Sequence, residues 1–384
     1  MFQGLLIFLL YFKTFNLSLG HPWNKFLALF AAGWYVLHPA NAETINYVCA
    51  RSDTLSTQFL LLAFVLFMYS SRCRKWHLYL IPAGIGILAK PIGGVFPILL
   101  LAYLILFENR ISLTEIFRRK NVPALASSLK KVLPSFLFCG ILLVFVGRMG
   151  PATWVAGGPS FYHYVITQPY VILRYFTTFF LPIDLSADTD WTTLKTLMDM
   201  RFFIGSLFLL GLLWVAVRSS KKEGTRPISF GILWFLIALL PTSLTPLAEV
   251  MNDHRIFFPY VGLTMSVSWA IALGLSHLRK SVQPVGTFNR ALVVAILVVL
   301  APYAYGTYQR NKVWHTDETL WRDVTEKSPN NGRGLMNYGL TLMAKADYAG
   351  AERYFNKALT LTPNYHVLLV ARIPRNQQSP DFLL

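Results

Sequence analysis

Apolar stretches of roughly the length that crosses a hydrocarbon core recur along this chain, at 55–69, 132–146, 202–217, 228–247, 256–275 and 292–308. Backbone inside lipid must satisfy its own N–H and C=O groups, so stretches of this kind have to be helices. Shorter apolar runs lie at 26–37, 78–89 and 92–107, the last two flanking Lys90-Pro91. The run 165–181 is interrupted by Pro169 and Arg174 and reads either as a span or as an interfacial helix. Charged residues make up 14% of the 384 and hydrophobic ones 54%, whereas a soluble domain carries roughly 25% charged residues. The sequence therefore predicts an all-α fold: a polytopic membrane bundle of about 10–11 spans or half-spans, followed by a short soluble helical segment.

A formal net charge of +17 would suggest a nucleic-acid partner in a soluble protein. Its placement points to the lipid bilayer instead, and no nucleic-acid partner is expected. The basic residues gather in short loops: Arg72, Arg74 and Lys75; Arg110, Arg118, Arg119, Lys120, Lys130 and Lys131; Arg218, Lys221, Lys222 and Arg226; Arg279, Lys280 and Arg290. The positive-inside rule makes these loops cytoplasmic. The opposite face then receives 38–53, Lys90, 148–200, 249–255 and everything after Arg310. This alternation requires Lys90-Pro91 to be the turn between two short helices, a break that Pro91 supports. Asn16-Leu17-Ser18 matches a glycosylation acceptor but falls on the cytoplasmic face. Cys49, Cys73 and Cys139 show no disulfide or metal spacing and read as free buried thiols.

Between two apolar runs the chain carries His38-Pro39-Ala40-Asn41-Ala42-Glu43, then Tyr47 and Arg51-Ser52-Asp53. Ionisable groups at the membrane edge are costly unless paired or hydrated, so they tend to mark a substrate path or a reaction centre. A second polar group, Glu249, Asp253, His254 and Arg255, directly precedes a span. It could face the first across one cavity, or form a solvated loop. Asp184, Asp188 and Asp190 beside Trp191 could bind sugar hydroxyls or a cation, or belong to an ordinary loop. Gly150-Pro151 and Gly157-Gly158-Pro159, with Tyr162, His163 and Tyr164, read as a mobile loop or as interfacial aromatics. No phosphate-cradling glycine loop, metal-spaced Cys/His set or nucleophile elbow is apparent.

After Tyr308 the composition turns polar. Residues 310–331 read as a junction and capping helix, with a helix over 317–327. Residues 332–365 fit one 34-residue tetratricopeptide repeat, with Gly339, Ala351, Phe355, Ala358 and Pro363 at the expected positions. Gly339 and Ala351 would let two antiparallel helices approach, Phe355 and Leu342 would fill the seam, and Pro363 would end the second helix. Residues 366–384 show no repeat pattern.

The motifs His38-Pro-x-x-x-Glu43, Arg51-Ser-Asp53-x-Leu55, Gly86-x-Leu88-Ala-Lys90-Pro91 and Pro246-Leu-Ala-Glu249-x-x-Asn252-Asp-His254-Arg255-x-x-x-Pro259, with the 314–337 junction, together resemble a known family. These are membrane glycosyltransferases of the C superfold with a tetratricopeptide tail, including the eukaryotic transmembrane O-mannosyltransferases and bacterial relatives. The resemblance runs from about Leu5 to Pro363. It implies roughly eleven membrane helices, a reaction centre and repeats on the extracytoplasmic face, and inverting transfer of a sugar from a polyprenyl-phosphate donor to a hydroxyl, in eukaryotes a protein Ser or Thr. The membrane would be the endoplasmic reticulum or the bacterial inner membrane.

Such chemistry needs a base, cations for the departing phosphate and a groove for the isoprenoid chain. Lys90 and Arg255 would clamp the phosphate; alternatively Lys90 caps a short helix and Arg255 snorkels at a helix start. Glu43 and Asp53 would serve as base, metal ligand or partner to Arg51, and His38 would orient a carboxylate or shuttle a proton. A local Arg51–Asp53 ion pair fixing the next helix is the other reading. Any divalent metal is left open, and an acceptor protein would bind through the repeat.

Family members carry an acidic pair in the loop after their first helix, and nothing before His38 is acidic here. Met1 opens into an apolar run about half a span long, like the second half of a helix. The expectation is a chain truncated at both ends and inactive as it stands, unless Glu43 or Asp53 substitutes. That leaves a membrane-anchored scaffold for protein partners as the alternative, and a transporter as a weaker one because inverted repeats are not apparent.

Overall fold

The computed structural model describes residues 1–150, 159–279 and 285–363. The loop read around Pro151 to Gly158, the last two residues of the 332–365 repeat and the 366–384 tail lie outside the described residues. Every regular element among the described residues is helical. Among the described residues seven helical stretches are long and apolar enough to cross a membrane, and Phe2–Ser18 and Leu80–Ala89 are shorter apolar helices.

The chain begins with α1 (Phe2–Ser18), α2 (Asn24–Val36) and the short α3 (Asn41–Asn46). The opening apolar run is thus part of a 17-residue helix that continues through Lys13 and Thr14; the Thr14 hydroxyl donates back to the Leu10 carbonyl at 2.7 Å. Next come α4 (Arg51–Tyr69), α5 (Ser71–Lys75) and α6 (Leu80–Ala89). Lys90 is extended and Pro91–Val95 forms a tight 3-10 turn before α7 (Phe96–Tyr103). The chain therefore reverses at Lys90-Pro91, where proline denies the helix a hydrogen bond.

After α8 (Val122–Met149) comes α9 (Phe161–Phe180), then α10 (Met200–Ser220), α11 (Arg226–Leu244), α12 (Phe257–Arg279) and α13 (Val285–Val313). Two glycines set the α11–α12 crossing. A Cβ on Gly231 would lie 2.3 Å from the Gly262 carbonyl, and one on Gly262 would lie 2.5 Å from that of Gly231. Small residues of this kind let helix backbones touch where lipid supplies no hydrophobic drive.

One end of the bundle gathers the first three basic loops; Lys280, in the fourth, lies outside the described residues. Glu108 pairs with Arg74 at 2.6 Å and Lys131 at 3.4 Å, Arg110 pairs with Glu223 at 3.4 Å, and Arg226 donates to the Arg110 carbonyl at 2.6 Å. Ser18 donates to the Glu223 carbonyl, which brings the end of α1 to the same layer. Lys90, His38 to Asp53, Glu249 to Arg255 and Arg310 occur at the other ends of the same helices.

The open question of the 165–181 run is answered by the neighbours of α9. At about 1.5 Å per residue a 20-residue helix is long enough to cross, yet both its ends meet the same end of the bundle. Tyr164 donates to the Thr242 carbonyl in the last turn of α11, and the Phe179 carbonyl meets His38 and Tyr303. Between them Tyr175 bonds the Asn252 backbone, and a Cβ on Gly205, near the start of α10, would strike the backbone at Tyr170. The helix runs along that layer. Tyr162, His163 and Tyr164, read as a loop or as interfacial aromatics, are not in a loop but form its first turn, which Ser160 caps by accepting from the His163 amide.

The composition break after Tyr308 does not coincide with a structural one, because α13 continues to Val313. Beyond it lie α14 (Asp317–Lys327), α15 (Gly332–Ala344) and α16 (Tyr348–Leu361). The last two form a hairpin around Leu335, Met336, Ala351, Phe355 and Ala358. Gly339 is needed there, since a Cβ would meet the Phe355 ring at 2.6 Å. Of the three cysteines only Cys139 is buried; Cys49 is exposed and Cys73 intermediate.

Candidate active site

Helix α3 brings Glu43 into the bundle end, where it is buried. Its Oε1 lies 3.0 Å from His254 Nδ1 on the 3-10 turn (Asp253–Ile256) that opens α12, and its Oε2 has no hydrogen-bond partner among the described residues. Burial pushes the Glu43 carboxyl well above its ordinary range; Arg310 and Arg255 pull it down, and Glu249 and Asp188 oppose them. The two polar groups of the sequence thus face one another and meet through this pair.

Asp53, also buried, accepts from Lys90 Nζ at 2.5 Å. The local Arg51–Asp53 pair is not formed. Residues two apart on a helix point about 200° apart, so Asp53 turns inward while Arg51 stays exposed, its Nε 3.4 Å from the Ile45 carbonyl. Lys90, freed from helical geometry by the α6 break, keeps 28% of its side chain exposed. Lys90, Asp53, Arg255 and Glu249 all act electrostatically on His254, so these side chains share one locality.

Arg255 is buried rather than snorkelling. It donates to the carbonyls of Glu249 at 2.9 Å and Val250 at 3.3 Å, and approaches Tyr164 Oη at 3.4 Å and Glu249 Oε2 at 3.5 Å. Its Nε is unpartnered among the described residues. Asp253 accepts from the Ser186 amide at 3.2 Å, tying the α9–α10 loop to the start of α12.

His38 does not take the role expected of it. Its Nδ1 accepts from the Ala40 amide at 3.2 Å, so Nε2 carries the proton and donates to the Phe179 carbonyl at 3.1 Å. Phe179, Tyr260 and Tyr303 enclose the ring. Burial lowers its pKa to about 4, against the Phe179 hydrogen bond. The histidine beside a carboxylate is His254.

The acidic loop after α9 is occupied by the chain's own tail. Buried Asp188 accepts from Arg333 Nε at 2.6 Å, Asp190 accepts from the Asn330 amide at 3.2 Å, and Trp191 stacks on Tyr170. Glu249 accepts from Arg333 Nη2 at 2.6 Å. Burial pushes Glu249 upward, but Arg333, Arg255 and His254 together hold it below its usual value; the same hydrogen bonds raise Arg333 against its own burial.

Two site residues escaped the sequence reading. Arg310 is buried against Asp323 at 2.5 Å and is the strongest positive influence on Glu43. Its signal was a cation closing the last apolar run. Arg333 had no local signal, since it stands in the first turn of a repeat-like helix. Among the described residues no three His, Cys, Asp or Glu side chains converge as metal ligands.

No protein-family model matches the chain, and no solved structure matches it significantly. Among curated proteins it is similar to Protein O-mannosyl-transferase TMTC3 of Homo sapiens, 20% identical over 184 residues, 46% of this chain and 19% of the relative. It is likewise similar to TMTC1 of Mus musculus, 21% identical over 235 residues, 55% of this chain and 24% of the relative. Tmtc1 of Drosophila melanogaster is 26% identical over 137 residues, 35% of this chain and 15% of the relative. The chain thus spans less than a quarter of the length of these relatives.

Proposed function

We propose that this chain carries the reaction centre of a membrane glycosyltransferase. It moves a sugar such as mannose from a polyprenyl-phosphate donor to a protein Ser or Thr hydroxyl on the extracytoplasmic face. The observation that carries this reading is the Glu43–His254 pair, with a free carboxylate oxygen, in the same locality as Lys90 and Arg255, at the bundle end opposite the basic loops. The relatives, all named protein O-mannosyl-transferases, support the reaction class, and the positive-inside rule supports the face.

In this reading His254 Nδ1–H donates to Glu43 Oε1, which leaves Oε2 to receive the acceptor proton. Burial raises the proton affinity of Glu43, which suits a base acting on a hydroxyl. The acceptor oxygen forms a bond to the anomeric carbon as the carbon–oxygen bond to phosphate breaks, inverting the centre. The electron pair leaves with the lipid phosphate, and Lys90 and Arg255 stabilise that charge in a water-poor setting. The α15–α16 hairpin offers a surface for the acceptor protein.

The test is transfer from polyprenyl-phosphate mannose to a Ser/Thr peptide by the chain in vesicles. Glu43→Gln is expected to lower kcat by about 100-fold or more, and Lys90→Met and Arg255→Ala to weaken donor use. Unchanged turnover in all three, with folding verified by thermal unfolding, sinks the proposal.

A further inference from the structure

Arg333 belongs to α15, beyond the last membrane helix, yet its guanidinium reaches back between two loops of the bundle. Nε takes Asp188 and Nη2 takes Glu249, each at 2.6 Å. Glu249 is thereby shared: Oε1 is held by Arg333, while Oε2 lies 3.5 Å from Arg255, at the limit of a hydrogen bond. Arg255 is fixed chiefly by two backbone carbonyls, which orient a cation without cancelling its charge. Its unpartnered Nε leaves a donor to spare.

Two arginines on one carboxylate compete. Arginine prefers to fork onto a carboxylate through two parallel N–H···O bonds, and Arg333 denies Arg255 the second oxygen. Without Arg333, Glu249 has a free Oε1 and its nearest cation is Arg255, so closing the 3.5 Å gap becomes the favourable move. Arg255 would then be neutralised by its own loop.

We propose that Arg333 is a positioning residue for anion binding at Arg255: by taking Oε1 of Glu249 it limits Arg255 to one 3.5 Å ion-pair contact with Oε2, so that the helical tail keeps the phosphate site charged. This rests on the phosphate-clamp reading above. Because the Arg333 side chain is 46% exposed, solvent screens the effect to a moderate size.

The experiment titrates polyprenyl phosphate onto the full chain in nanodiscs at fixed ionic strength. Arg333→Ala is expected to weaken binding about tenfold, and adding Glu249→Gln to bring it back within about threefold of the starting protein. Since R333A strands the buried Asp188 carboxylate, the same pair is compared in a D188N background, with thermal unfolding reporting integrity. If Arg333 merely docks the tail, E249Q changes binding by the same factor with and without Arg333; that result, or unchanged binding in R333A, overturns the inference. Unchanged binding in Arg255→Ala overturns the phosphate clamp and this inference with it. Loss in R255A beside an unrescued R333A overturns this inference alone.

Discussion

His38 and His254 stand at the same bundle end and serve different ends. His38 is locked neutral by two backbone partners and three aromatic rings; His254 meets a carboxylate. Nothing in the local sequence separates them, because the distinction comes from residues 141 and 211 positions away. The neutral His38 has a consequence for stability. Its folded pKa, about 4, lies below the ordinary 6.5, so its contribution is present above 6.5 and is lost as pH falls through 4. The loss is of order 3 kcal/mol if fully expressed. Thermal unfolding of the detergent-solubilised protein is expected to fall between pH 7 and 4.5, and His38→Phe to remove part of that fall. Equal pH slopes in both proteins would contradict this.

At the level of elements, helix α9 separates what periodicity and length can say from what packing decides. Apolar residues, Pro169 and Arg174 were compatible with a span or an interfacial helix; Thr242, Asn252, His38 and Tyr303 place it along one layer. Single cysteines at the exposed positions Tyr162 and Ile183, before and after most of the helix, are expected to react with an impermeant reagent from the same side. A cysteine replacing exposed Trp76 is expected to react from the other. Labelling of 162 and 183 from opposite sides would restore the span. Helix α4 teaches the complementary lesson: helical geometry alone rules against the Arg51–Asp53 pair, and Lys90, supplied by a helix break, takes its place.

Across the whole molecule, the tail and the bundle are bound through ion pairs and hydrogen bonds. Arg310 pairs with Asp323, Lys327 donates to the Leu185 carbonyl at 2.9 Å, Asn331 to that of Thr189 at 3.0 Å, and Arg333 bridges Asp188 and Glu249. Asp323→Ala leaves Arg310 buried without its carboxylate, and removing one member of a buried pair costs about 3–5 kcal/mol. Faster proteolysis within 314–331 and a lower Tm are the expected readouts; an unchanged cleavage rate would show that the pair does not secure the tail.

The helical bundle, the reversal at Lys90-Pro91 and the α15–α16 hairpin were legible from the chain alone; the span count was not, since seven span-length helices occur among the described residues against the roughly 10–11 spans or half-spans expected. What was legible follows from hydrophobic length, proline geometry and residue size, all local properties. The same holds for the segregation of charge to two ends, because lipid excludes it from the middle. Which charges meet was a different matter. The pairing of Glu43 with His254, of Asp53 with Lys90, and of Arg333 with Asp188 and Glu249 depends on how helices far apart in sequence are brought together. A buried charge takes the nearest suitable partner in space, and only the tertiary structure decides which one that is.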